Sequence, residues 1–191
     1  MLMPYGAALT DPVLGATRRW LERAVIGLGL CPFARVVYSK QQIRYALTAA
    51  RTADELLAEL AHELELLAQL DPAEVETTLL IHPFAMVDFL DYHFFLAEAY
   101  AVVRNLGFEG VFQIASFHPR YEFAGSATDD IDNYTNRSPY PMLHLLREAS
   151  VERAVATYPG AAAISDRSID TLRRLGHKGW HSLWVDEHPK E

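Results

Sequence analysis

Strand-type and helix-type segments alternate along the middle of the chain, and this alternation restricts the available folds more than any other feature. Apolar and β-branched runs at residues 43–48, 77–81 and 110–117 are typical of strands. Residues 52–70 and 86–106, between them, carry apolar side chains at helical spacing. Strands joined through whole helices pair in parallel by right-handed crossovers. We therefore expect an α/β fold with a small, mainly parallel sheet of three to four strands flanked by helices; an α+β, ferredoxin-like arrangement is the alternative.

Capping residues predict where several helices begin and end. Asp11 is suited to the N-cap of a first helix, with Pro12 in its first turn. Thr52 and Glu55 have the spacing of a capping box, and Gly107 is a natural residue just after a helix end. The sequence therefore predicts three helices with defined ends in the first 107 residues.

The last third of the chain is predicted to be mainly helical. Pro141 is suited to start a fourth helix that extends to about residue 158. Ser165 is suited to cap a fifth helix, and Gly176 to close it. Residues 182–185 are compatible with an edge strand.

Composition excludes several classes of protein. The 191 residues fit a single domain, residues 1–191, and the 50% of apolar residues suffices for a full core. A net charge of -8 argues against nucleic acid as the main partner, because phosphate neutralisation needs a basic surface. One cysteine allows no internal disulfide, and the sequence shows neither a signal peptide nor an apolar run long enough for a membrane span. A cytoplasmic location is expected.

The second and third predicted strands are each followed by a His-Pro dipeptide, at His82 and at His118. If the sheet is parallel, both imidazoles lie at the carboxyl edge, where open α/β sheets place their ligands. The prolines restrict the backbone of the preceding histidines, so each ring leaves the strand in a defined direction. Both are candidate acid/base residues, and a polar cap on a strand end is the alternative.

His144 and Glu148 are four residues apart on the predicted fourth helix and would share one face of it. Such a pair can ligate a metal or orient an imidazole for proton transfer, although a surface ion pair has the same spacing. With His82 and His118 it would supply three nitrogens and one carboxylate, a ligand set suited to zinc or iron. No compact metal motif is present, so a divalent metal remains a hypothesis.

Residues 118–140 form a long stretch without helix or strand periodicity, and loops of this length in compact domains are usually functional. At its end, Asn136, Arg137 and Ser138 precede the predicted helix that carries Arg147. Arginine binds carboxylate or phosphate through two parallel hydrogen bonds, and helix-start amides attract anions. These four residues are therefore candidates for an anion-binding site.

Cys31 is the only thiol of the chain. After the end of the first helix, among apolar neighbours, it would be buried and inert. If Pro32 instead opens a short helix, the thiol lies at its N-cap and becomes a better thiolate. The buried reading is favoured.

Four blocks of sequence stand out: GLCPFA at 29–34, ETTLLIHP at 76–83, QIASFHP at 113–119 and NYTNRSPYPMLHLLRE at 133–148. Together they resemble the bacterial domain-of-unknown-function family 1415, and the similarity spans nearly the whole chain. The family pattern has Asn where this chain has Gly29, a departure that affects a helix end only. The resemblance implies a small bacterial-type protein, and it implies no reaction.

The residues favour an enzyme or small-molecule binder whose cleft lies at the carboxyl ends of the strands. His118 and His144 would act as acid/base groups or metal ligands on an anionic small molecule, with Glu148 as the orienting or ligating carboxylate. His82 would complete the site. We expect the three imidazoles to converge within about 10 Å, the span of one small ligand or one metal shell.

A non-catalytic interaction protein is the alternative function. Its loop at residues 119–140 would then dock a partner through aromatic side chains, which dominate the binding energy of many interfaces. The aromatic residues concerned are Tyr121, Phe123, Tyr134 and Tyr140. An exposed aromatic patch on this loop would favour the alternative, and a concave pocket with polar groups would favour the small-molecule site.

Overall fold

The computed structural model describes residues 11–157 and 163–185. Six α-helices lie in these ranges: α1 Pro12–Trp20, α2 Ala34–Ser39, α3 Ala53–Gln69, α4 Phe89–Asn105, α5 Glu148–Thr157 and α6 Ile164–Ser182. Four strands lie there too: β1 Ile43–Leu47, β2 Thr77–Ile81, β3 Phe112–Phe117 and β4 Met142–Arg147. A π-helical segment, Leu21–Ile26, continues α1, and a short 3-10 helix spans Ile131–Thr135. The expectations for the N-terminal residues and for a helix end near residue 158 lie outside the described ranges.

The four strands form one sheet in the order β1-β2-β4-β3. β1 and β2 pair in parallel, whereas β4 lies between β2 and β3 and runs antiparallel to both. The α/β class and the four strands are confirmed, but the sheet is mixed, so the expectation of a mainly parallel sheet is wrong. The reason is that β4 returns from the carboxyl edge into the gap between β2 and β3. The order βαβαββ also differs from the ferredoxin-like βαββαβ alternative.

Helices cover both faces of the sheet and enclose two apolar cores. On one face, α3 and α4 bury leucine and aromatic side chains such as Leu60, Leu64 and Phe95 against the strands. On the other face, α1, its π-helical continuation and α6 contribute Trp20 and Leu172. Within residues 11–157 and 163–185, no helix combines the length and the apolarity that a membrane crossing requires.

The prediction of a helix starting at Pro141 is wrong for residues 142–147, which form β4. The strand lies in the middle of the sheet with both faces covered: Leu143 and Leu145 point into the α3/α4 core, and Met142 points into the other. A strand that is apolar on both faces shows no alternation, so its sequence cannot be distinguished from a buried helix by periodicity. Helix formation begins only at Glu148, where α5 starts.

The end of the chain also differs from expectation. α6 begins at Ile164, with Ala163 rather than Ser165 at the N-cap position. Gly176 adopts a left-handed φ of 64° and kinks the helix, but helical structure resumes and continues to Ser182. Residues 182–185 form turns with i to i+3 hydrogen bonds and no edge strand, since these bonds use the amides that a strand would offer to the sheet.

The predicted helix ends in the first half of the chain are confirmed. The Asp11 carboxylate accepts a hydrogen bond from the amide of Val13 at 2.8 Å and caps α1. Thr52 and Glu55 form the reciprocal capping box of α3. Gly107 follows α4 with a φ of 74°, a conformation that residues with a Cβ rarely adopt.

Candidate functional site

His82 and His118 lie at the carboxyl edge of the sheet, on either side of Tyr92 from α4. The ring centroids of His82 and Tyr92 are 5.8 Å apart, and those of Tyr92 and His118 are 5.1 Å apart. Both histidines are fully buried. The two His-Pro dipeptides are thus brought together around one tyrosine ring.

Hydrogen bonds to the backbone hold both imidazoles. His82 Nδ1 lies 3.0 Å from the carbonyl of Ala85, so this nitrogen carries the proton and donates. The amide of Arg120 donates to His118 Nδ1, which leaves Nε2 as the donor to the carbonyl of Met86 at 3.2 Å. Both rings therefore hold the segment before α4 against the edge of the sheet.

Burial keeps these imidazoles neutral. Burial, together with a smaller effect of the nearby His118, lowers the pKa of His82 from 6.5 to about 4. Burial also lowers the pKa of His118. His82 Nε2 is buried and has no hydrogen-bond partner among the described atoms. The arrangement can support the chain structurally, and neither ring is exposed to solvent.

The Tyr92 hydroxyl connects the same edge to two strands. It donates to the carbonyl of Met142 at 2.9 Å and accepts from the amide of Phe117 at 3.1 Å. Burial raises the pKa of this hydroxyl. Tyr92 thereby joins the last residue of β3 to the first residue of β4.

His144 lies in the middle of β4, on the other face of the sheet from α3 and α4, because its neighbours Leu143 and Leu145 point into the α3/α4 core. Its Nε2 is 2.7 Å from Thr77 Oγ1, whose hydroxyl donates to the carbonyl of Leu145. Burial lowers the pKa of His144 to about 4. The third imidazole is therefore separated from the other two by the sheet.

Glu148 lies at the opposite edge of the sheet, because β4 runs away from the edge where His82 and His118 lie. Its amide donates to the carbonyl of Val111 at 2.9 Å. Within residues 11–157 and 163–185, no three His, Cys, Asp or Glu side chains converge in a way that could hold a metal ion. The structure does not assemble the expected set of three imidazoles and one carboxylate.

Arg147 also lies at that opposite edge, where its guanidinium Nη2 donates to the carbonyls of Leu67 and Leu70 at 2.7 and 2.9 Å. It therefore caps the carboxyl end of α3. Asn136 donates to the carbonyl of Ser116, and the hydroxyl of Ser138 donates to the carbonyl of Tyr140. Among the four expected anion-binding residues, these three have structural roles.

Arg137 borders an open cavity of about 270 Å³ on the face of the sheet that carries α1 and α6. Arginine and tryptophan side chains from three parts of the chain line it: Arg19 and Trp20 of α1, Arg23 of the π-helical segment, Arg137, and Trp180 and Trp184 near the end of α6. Ser138 and Pro139 complete the wall beside Arg137. We call this space the Arg/Trp cavity. Sequence reasoning identified Arg137 and Ser138 but missed the others, although Arg19 and Arg23 are four residues apart and share a helix face.

The Arg/Trp cavity is electropositive. Its described lining includes three guanidinium groups and no carboxylate. The Arg137 guanidinium packs 4.2 Å from the centre of the Tyr134 ring and donates to the carbonyl of Tyr121. In the described part of the chain, no ion pair involves Arg19 or Arg137. Within the described structure no carboxylate neutralises either charge; the Arg19 guanidinium has no hydrogen bond there, whereas Arg137 also donates to the carbonyls of Tyr121 and Thr128.

Trp20 fixes the inner wall of the cavity. Its indole nitrogen donates to the carbonyl of Arg137 at 2.8 Å, and its ring packs edge-on against Phe117. Arg23 donates to the carbonyl of Leu183 at 2.8 Å and thereby joins the first helical region to the end of α6. Three segments distant in sequence are thus connected around one cavity.

Cys31 is largely covered by the second core, and burial raises the pKa of its thiol. A raised pKa lowers the thiolate fraction at neutral pH and therefore the reactivity of the group. Cys31 is only partly buried, however, and the amides of Phe33 and Ala34 beside the start of α2 oppose the effect of burial on its pKa, so the inert thiol stays a prediction.

The aromatic residues of the loop at 119–140 pack mainly against the protein. Tyr121 contacts Phe89 and Phe123, and Tyr134 packs against Trp180. Phe123 is 38% exposed. Phe123 is thus the most exposed of the four rings, and Tyr121, Tyr134 and Tyr140 are half-buried.

Comparison with known proteins gives one finding. No curated protein and no solved structure matches the chain. The model of a family described as a protein of unknown function (DUF1415) matches residues 13–182, which is most of the chain. The chain therefore belongs to the DUF1415 family.

Proposed function

We propose that this protein binds a small anionic ligand with a flat apolar group in the Arg/Trp cavity. The observation that carries the proposal is the pair Arg19 and Arg137, two cations without an ion-pair partner in the described structure, beside three tryptophan rings. Because the chain as a whole has a net charge of -8, this local excess of positive charge supports an anionic ligand at the cavity.

The cavity chemistry indicates the type of ligand. Guanidinium groups bind carboxylate and phosphate oxygens through paired, charge-assisted hydrogen bonds. Indole rings favour flat apolar groups, which they contact face-on or edge-on. The cavity of about 270 Å³ is slightly below the range of roughly 300–1,000 Å³ that drug-sized ligands occupy. We therefore expect an aromatic or similarly flat carboxylate or phosphate ester of low mass.

The proposal is one of binding rather than catalysis. None of the described residues lining the cavity is a histidine, aspartate or glutamate, the groups that most often transfer protons in enzymes. The acid/base roles expected for His82, His118, His144 and Glu148 would require these residues to meet. Their positions on two faces and at two edges of the sheet give that hypothesis no support.

Titration followed by tryptophan fluorescence tests the proposal, because three tryptophans line the cavity. Benzoate and phenyl phosphate are the anionic probes, and benzyl alcohol is the neutral control of similar shape. We expect saturable changes with the two anions and a much weaker response to the alcohol. Equal affinity for all three compounds would contradict an anion site.

Arg19→Gln is the sharpest variant, since the exposed Arg19 has no hydrogen bond or ion pair in the described structure that the substitution would break. Losing a charged hydrogen bond of about 1.5–3 kcal/mol should weaken binding of the anions roughly 10-fold or more. The matched control is Arg174→Gln on the exposed side of α6, which lies outside the cavity lining. Equal affinities for the two variants would place the ligand elsewhere.

A further inference from the structure

The outward face of α4 is apolar, a feature independent of the proposed ligand site. Phe94 is 71% exposed and Leu90 is 63% exposed. Ala97 and Ala101 continue the same side of the helix towards its carboxyl end. We call these four residues the α4 stripe. Two large side chains this exposed on adjacent turns are unusual unless another surface covers them.

The α4 stripe cannot turn towards its own core, because the opposite side of the helix is already packed there. Tyr92, Phe95 and Ala99 are buried between α4, α3 and the sheet. Leu90, Phe94, Ala97 and Ala101 are spaced 4-3-4 along the chain, which is the spacing of a coiled-coil seam. Val87, which is 55% exposed and precedes the helix, lies three residues before Leu90 and so continues the same pattern towards the N-terminus. The stripe therefore has the pattern of a surface that packs against another helix.

The polar residues beside the α4 stripe indicate which helix that is. Relative to the seam, His93 and Glu98 occupy the two flanking positions that face each other across a parallel helix pair. In a parallel pair of identical helices, His93 of one copy lies opposite Glu98 of the other. In an antiparallel pair, each flank would face its own equivalent, so the acidic side with Asp91 and Glu98 would meet itself. The flanking residues thus complement a second copy in the parallel orientation, because an imidazole N–H can donate to the facing carboxylate.

We propose that two copies of this chain associate through α4, parallel and side by side around a twofold axis. Leu90 and Phe94 then pack against the same residues of the second copy, and the small side chains of Ala97 and Ala101 let the helices approach closely. His93 and Glu98 flank the seam on both sides. A twofold arrangement uses the same surface on both copies and closes without leaving it exposed.

Sedimentation equilibrium of the full chain over a range of concentrations tests the association. We expect the mass to approach twice the 21.5 kDa of one chain as the concentration rises. Phe94→Glu should keep the mass at that of one chain, while circular dichroism and the urea midpoint stay unchanged because the side chain is exposed. A wild-type chain that stays monomeric, or a Phe94→Glu chain that still dimerises, would overturn the proposal and leave the α4 stripe to another partner.

The orientation has its own test by cross-linking. In a Cys31→Ser background, Ala101→Cys should form a disulfide-linked dimer under mild oxidation, since a parallel seam places the two residues at bonding distance. An antiparallel pair centred on the stripe would separate them by roughly 16 Å, from 11 residues at 1.5 Å each. His93→Glu should weaken the dimer, and adding Glu98→Lys should restore it. Absence of both the cross-link and the rescue would rule out the parallel arrangement.

Discussion

Among the described residues, burial lowers the pKa of His82 and of His144 to about 4. An imidazole in the unfolded chain titrates near 6.5. Between these pH values the unfolded chain binds protons that the folded chain excludes, so the free energy of unfolding falls as the pH falls. Each group can contribute a slope of up to about 1.4 kcal/mol per pH unit in this window.

The substitution His144→Gln should reduce that slope. Glutamine does not titrate, and its amide can still hydrogen-bond the hydroxyl of Thr77. Urea unfolding at about pH 7 and about pH 5 measures the difference, which should shrink by roughly 1–2 kcal/mol in the variant. Val103→Ala, a core substitution without a titratable group, should lower stability equally at both pH values. A slope unchanged by His144→Gln would mean that this imidazole is charged or accessible in the folded protein.

Tyr92→Phe tests the contribution of the Tyr92 hydroxyl, which joins β3 to β4. Removing it leaves the Phe117 amide and the Met142 carbonyl without this partner, and we expect a loss of about 1–3 kcal/mol. Tyr100→Phe on the same helix is the matched control, because Tyr100 is 39% exposed and its substitution should change stability by less than about 0.5 kcal/mol. Urea denaturation compares the two variants. Similar losses for both would show that the buried hydroxyl contributes no specific stability.

Among the elements, α3 depends on a residue that is distant in sequence. Arg147 at the end of β4 donates to the carbonyls of Leu67, Leu70 and Val75, where the dipole of α3 is negative. Arg147→Met keeps the length of the side chain but removes the charge and the donors. We expect a destabilisation of about 2–3 kcal/mol by urea denaturation.

Arg153→Met is the control for that prediction, because Arg153 is exposed on α5 and the one hydrogen bond of its guanidinium in the described structure is to the hydroxyl of Ser150. It should change the free energy of unfolding by less than about 0.5 kcal/mol. If Arg147→Met were equally mild, Arg147 would be free to bind an anion, as the sequence had suggested.

Local signals predicted the elements that depend on local chemistry. The capping box at Thr52 and the proline after Asp11 act within one helical turn, and the structure has both. The prediction for residues 142–147 was wrong because their Leu, Met and Arg residues also favour helices. Only their burial between two strands makes this segment β4. Because of that error, Glu148 was predicted to share a helix face with His144, whereas it lies at the far edge of the sheet.

At the scale of the whole molecule, the sequence predicted one part of the candidate site and missed the rest. The His-Pro dipeptides pointed to the carboxyl edge because strand direction could be inferred from the helices between the strands. The Arg/Trp cavity could not be inferred in this way. Its walls include Trp20 and Trp180, two residues 160 positions apart, and no periodicity of the sequence brings them to the same cavity. Of the residues that line it, only Arg137 and Ser138, at the end of the long loop, were predicted from the sequence.

The central position of β4 has a consequence for the order in which the protein assembles. β1 and β2 can pair as soon as both have been synthesised, but β3 has no hydrogen-bonding neighbour until residues 142–147 emerge from the ribosome. Until then β2 exposes an open strand edge, the kind of surface through which nascent chains aggregate. Completion of the sheet is therefore a late, long-range step, and we expect it to limit the folding rate.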